Sequence, residues 1–91
     1  MPEYKAPQRD MQFLIDEVFD FHASYAAMGA SDATPDMVSA ILAEGAKFCE
    51  QVLAPLNRSG DEEECQINNG VVTTPAGFKE AFAQYVEGGW N

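Results

Sequence analysis

One histidine, two cysteines and a run of four acids are the side chains of this 91-residue chain with the most obvious chemical reach. His22 could serve as a general base, given a carboxylate to orient its ring and a nucleophile to deprotonate. Spacing assigns neither partner. His22 stands on an apolar helical stripe, where a packed structural histidine is the plainer reading. Asp16, Glu17 and Asp20 fall on the polar side of the same segment, where carboxylates are ordinarily solvated, and Glu44 has no better claim to be a base. The acids at 61–64 lack calcium-loop spacing, which needs ligands at alternating positions around a glycine and a distant closing glutamate. A solvated loop is expected there. Cys49, Cys65 and His22 are too scattered for a zinc ligand pair. Ser24, Ser31, Ser39 and Ser59 have no nucleophile-elbow context. Gly88-Gly89 follows a helix end, so it makes no phosphate cradle. No catalytic, cofactor-binding or metal-ligating residue emerges from the pattern.

The elements that carry these side chains read as mainly helical. Residues 1–9, with Pro2 and Pro7 and no periodicity, predict an extended arm that Tyr4 could anchor in an apolar groove. Asp10 is a plausible N-cap for a first helix over 10–28, whose stripe is Met11, Leu14, Ile15, Val18, Phe21, His22 and Tyr25. Phe13 and Phe19 fall off that stripe and suggest a second partner surface or subunit. Gly29 can close the helix in the left-handed conformation. Thr34-Pro35-Asp36 is a strong start for a second helix over 35–55, with Val38, Ile41, Leu42, Gly45, Phe48, Cys49, Val52, Leu53 and Leu56 along its stripe. Gly45 costs about 1 kcal/mol of helix propensity, which hints at a close backbone neighbour. Pro55 should end or kink this helix.

A polar loop over 57–64, with Gly60 as a turn residue, should follow. A β-hairpin over 65–73 then turns at Asn69-Gly70, the strongest short hairpin signal. A lone hairpin is marginal in water, so it must lie on the helices or on something outside this chain. Thr74-Pro75 repeats the start signal for a third helix over 75–87. Its inner face is Phe78, Ala81, Phe82, Tyr85 and Val86, and Gly88-Gly89 stops it.

Composition narrows the function classes. Five basic against fifteen acidic residues leave a net charge of −10, which disfavours nucleic acid and anionic membrane partners. Two cysteines are too few for the usual disulfide framework of a short secreted chain, so reduced thiols are expected. No signal peptide or membrane-spanning apolar run is visible, which makes the cytoplasm the default location. The 46% apolar content suits one small globular unit.

Several stretches together resemble a known family. Tyr4-Lys5-Ala6-Pro7 with Arg9-Asp10-Met11 and Phe13-Leu14 is similar to the N-terminal signature of a bacterial branch of the acyl-CoA dehydrogenases. The 53–61 stretch, LAPLNRSGD, resembles the segment that follows there. So do Gly70-Val71-Val72-Thr73-Thr74-Pro75, Gly77-Phe78-Lys79-Glu80-Ala81 and Tyr85-Val86-Glu87-Gly88-Gly89-Trp90, in the same order. The resemblance covers nearly the whole chain.

It implies that residues 10–91 are a partial N-terminal helical domain of an FAD-dependent homo-oligomer that dehydrogenates acyl-CoA thioesters at the α and β carbons. This branch acts on long or unusual acyl groups, sulfur-containing ones included. The flavin-binding β-domain, the catalytic carboxylate and most of the acyl-CoA cavity would then lie outside these residues, leaving a scaffold that binds no FAD by itself. The alternative is a free-standing acidic helical interaction module whose Phe13 and Phe19 dock a partner. The reading frame past Asn91 separates the two. In either case the isolated chain is expected to expose a large apolar area or to self-associate.

Overall fold

A computed structural model describes residues 3–91, so the part of the expected arm at Met1 and Pro2 lies outside the described residues. Residues 3–7 have no regular structure, and Tyr4 is exposed rather than seated in a groove. The first helix, α1 (Gln8–Phe13), starts two residues before Asp10. Pro7 is the reason. Its ring presets the backbone, it has no N–H to orphan, and its carbonyl accepts the Met11 N–H at 3.1 Å. Asp10 is therefore no cap. It lies in the first turn, where its charge favours the positive end of the helix dipole.

The single helix expected over 10–28 is in fact broken. Leu14–Val18 widen into a π-helical turn, closed by the Phe19 N–H on the Leu14 carbonyl at 3.0 Å. Asp20 then adopts the left-handed conformation at φ 48°, ψ 55°, which no regular helix contains and which aspartate tolerates better than most residues. The helix resumes as α2 (Phe21–Ala27) and closes as the sequence predicts. Gly29 sits at φ +80°, and the Gly29 and Ala30 N–H groups bond the Ala26 and Tyr25 carbonyls at 3.1 and 2.8 Å.

Helix α3 (Pro35–Phe48) also starts where expected, with the Thr34 hydroxyl oxygen accepting the Met37 N–H at 3.2 Å. Thr34→Ala should cost about 1 kcal/mol, seen as a lower thermal midpoint, while Thr34→Ser stays near wild type. Gln12 on α1 donates to the Ser39 hydroxyl on α3 at 2.7 Å.

The chain divides into two compact units, Met1–Cys49 and Glu50–Asn91. The boundary falls in a second π-helical turn, Cys49–Leu53. In the second unit the loop expected over 57–64 is largely helical: α4 runs over Ala54–Glu63. Pro55 does not terminate a helix but occupies the first turn of α4, where its missing N–H costs nothing. Arg58 and Glu62 form an exposed i,i+4 ion pair at 2.9 Å, which supports the helix slightly. Gly60 is a packing position rather than a turn residue, since a Cβ there would lie 2.6 Å from Phe78 Cζ.

The helix ends at Glu64, φ 56° and ψ 171°, a backbone region that is essentially glycine-only. Glu64→Gly should raise stability by about 1 kcal/mol, because relieved strain exceeds the added unfolded-state entropy. A higher thermal midpoint would show it.

Strands β1 (Gln66–Asn68) and β2 (Val71–Thr73) form the predicted antiparallel hairpin, with Ile67 opposite Val72. Asn69 and Gly70 have φ of 51° and 80°, the two positive values that a type I′ turn needs. Ile67 and Val72 share one face, and both are exposed. Helix α5 (Phe78–Glu87) begins three residues after Pro75, so Thr74 is not its cap. Gly77, at φ +90°, precedes it, and the Glu63 carboxylate accepts the Ala76 N–H at 3.1 Å. A second glycine closure ends α5, with Gly89 at φ +78° and the Trp90 N–H on the Tyr85 carbonyl at 3.3 Å.

The mainly helical class with one hairpin therefore holds. Apolar cover is thin, however: among the described residues Ala46 and Ala81, each 5% exposed, are buried, together with Pro75.

Candidate functional site

The one arrangement with chemical character is built on the helix break. His22 Nε2 pairs with Asp16 Oδ1. On an unbroken helix, residues six apart point about 120° from one another, so no helical spacing could pair them. The π-helical turn and the left-handed Asp20 between them bring them together. Asp16 is thus not the plain solvated carboxylate that its sequence position suggested, whereas Glu17 and Asp20 are exposed.

A carboxylate only accepts, so the Nε2 proton donates to Asp16. The other ring nitrogen, Nδ1, is buried and has no hydrogen-bond partner among the described residues. Tyr25 meets the imidazole edge-on, with ring centroids 6.1 Å apart.

A general base must present a nitrogen to substrate. Here one nitrogen is engaged by Asp16 and the other is enclosed, so the pair acts as a clasp across the break. His22→Ala should free the 16–22 backbone by about 0.5–1 kcal/mol, read as faster amide exchange at Phe19 and Phe21.

The remaining candidates stay apart from this pair. The Ser39 hydroxyl accepts from Gln12, and the Ser59 hydroxyl donates to the Leu56 carbonyl at 3.4 Å. Glu44 pairs with Lys47 at 3.1 Å. Cys49 is half-buried and Cys65 exposed, both as free thiols. The acids at 61–64 are exposed, three of them on α4. No group of three or more His, Cys, Asp or Glu side chains among the described residues could hold a metal ion. None of their helices is long and apolar enough to cross a membrane.

An open groove of about 420 Å³ beside the break is lined by Arg9, Asp10, Gln12, Phe13, Asp16 and Glu17. A flavin dinucleotide needs cations or aimed N–H groups for its pyrophosphate, and these residues do not fit it. Three carboxylates face one arginine in the groove, while Lys5, Lys47 and Arg58 are each paired with a glutamate.

No protein-family model matches the chain. Over 88 residues it is 37% identical to the 3-methylmercaptopropionyl-CoA dehydrogenase of Ruegeria pomeroyi, an alignment covering 97% of this chain and 15% of that relative. Over nearly its whole length, then, the chain is related to the acyl-CoA dehydrogenases, and it spans about 15% of the length of that relative.

Proposed function

We propose that this chain is a scaffold portion of the N-terminal helical domain of an FAD-dependent acyl-CoA dehydrogenase, with residues 10–91 as a partial domain. The supporting observation is identity spread over 97% of the chain, joined by helix faces and a hairpin left uncovered within it. The rest of such an enzyme would supply the FAD site, the carboxylate base and the acyl-CoA cavity. Further copies of the subunit would cover additional surface, in a cytoplasmic homo-oligomer. The substrate class is an acyl-CoA thioester, with 3-methylmercaptopropionyl-CoA and long-chain acyl-CoAs as the first to try.

Two measurements test this. The 91-residue chain, mixed with excess FAD and passed through a gel-filtration column, should retain no flavin. A yellow preparation with one flavin per chain would overturn the scaffold role. The protein carrying this segment together with downstream domains should reduce a dye acceptor when given an acyl-CoA. Flavin that stays oxidised with every acyl-CoA offered would overturn the enzymatic reading.

The exposure of Phe13 and Phe19, 52% and 58%, favours a second reading, an acidic interaction module that needs no cofactor.

A further inference from the structure

The surface beside the helix break combines exposed rings with carboxylates that no neighbour neutralises. Phe19, Phe21 and Tyr25 form a row, with ring centroids 5.5 Å apart for the first pair and 6.2 Å for the second. Phe19 and Phe21 are exposed. His22 links this row to the groove, since it pairs with Asp16 of the groove lining and its ring stands 6.1 Å from that of Tyr25. The groove adds Phe13, Asp10 and Glu17, and Asp20 lies between Phe19 and Phe21 in the chain. Asp16 is taken by His22. No ion pair among the described residues engages Asp10, Glu17 or Asp20.

We propose that this face of α1, the first π-helical turn and α2 docks a basic protein segment, one that lays Arg or Lys side chains across the aromatic row. Charge complementarity selects that occupant. A guanidinium can stack on a phenyl face and pair with a carboxylate at once. A purely apolar partner would leave Asp10, Glu17 and Asp20 desolvated without compensation. A second copy of this chain would bring its own net charge of −10 against the same sign. The proposal stands whether the basic segment belongs to the same enzyme or to another protein, and it goes beyond the scaffold role.

The test is an NMR titration of the isotope-labelled 91-residue chain with a short peptide of arginines spaced by glycine and serine. The same peptide with glutamine for arginine is the control. Saturable shifts concentrated in residues 9–25 and weakened by added salt are expected. Phe19→Ala with Phe21→Ala should weaken binding about tenfold. Glu17→Gln with Asp20→Asn should do likewise and flatten the salt dependence. Asparagine tolerates the left-handed conformation, so this second variant keeps the fold. Arg9→Gln should tighten binding two- to threefold, roughly, by removing a like charge. Shifts spread equally over residues 61–64, or unchanged affinity in the double Phe variant, would mean bulk polyelectrolyte attraction and overturn the proposal. So would equal binding of the glutamine peptide, or dilution-dependent shifts at Phe19 and Phe21 without any peptide, which would make a second copy the occupant.

Discussion

Ala81→Asp is expected to unfold the second unit of the 91-residue chain, while Phe82→Asp on the same helix is expected to change little. The two residues are sequence neighbours on the apolar stripe of α5, and periodicity assigns both to its inner face. Their surroundings differ sharply, with Ala81 5% exposed and Phe82 67%. An aspartate at 81 would bury a carboxylate with no cation provided for it, at a cost of about 3–5 kcal/mol. That is a large share of the stability of so small a unit. At 82 the carboxylate stays in water, and the change should remain within about 0.5 kcal/mol. Urea melts followed by tryptophan fluorescence, which reports on Trp90, measure both variants. Equal damage at the two sites would mean that the stripe is covered uniformly, against the exposure seen here. In an assembled enzyme the contrast should shrink, because the scaffold reading has Phe82 covered by later segments.

Gly77→Ala is the second large effect, at about 2–4 kcal/mol, with two separable causes. Gly77 holds φ +90°, where an L side chain is strained by roughly 1–3 kcal/mol. A Cβ there would also lie 2.7 Å from Leu56 Cδ2, so the end of that side chain must swing aside at a modest further cost. Gly89→Ala separates the two causes. It has a similar φ of +78° and nothing within 4 Å, so it should show the conformational cost alone, about 1 kcal/mol. The steric part should also vanish in a Leu56→Ala background, which makes the double variant less damaged than the sum of the single changes. Strict additivity would show that Leu56 and residue 77 do not meet.

These contrasts mark how far the chain could be read without its coordinates. The Thr34 cap, the Gly29 and Gly89 closures and the Asn69-Gly70 turn were legible, because the bonds that make each one lie within six residues. Asp10 and Thr74 were misassigned as caps. Each lies near a proline with good start chemistry, but the backbone opens its helix elsewhere, at Pro7 and Gly77. Pro55 and the polar run after it read as a loop, since a mid-pattern proline ordinarily breaks a helix. The π-helical turn before it gives it a first-turn position instead, so Arg58 to Glu63 continue as α4.

At the candidate site the reading placed Phe13 and Phe19 off the helical stripe, and both are exposed. It could not find Asp16 as the histidine's partner. That pairing needs a break in the helix, and nothing in the stripe from Met11 to Tyr25 signals one.

By itself, then, the sequence determined the helical class, the hairpin and its turn, most of the helix closures and the kinship with acyl-CoA dehydrogenases. Tertiary structure decided which stripe residues are covered, why Gly60 and Gly77 must lack side chains, and how His22 meets Asp16. The division has a physical cause. Caps and turns are satisfied by backbone groups a few residues away, so local composition specifies them. Burial and side-chain pairing depend on which segments approach one another, and on single residues such as Asp20 that redirect the chain.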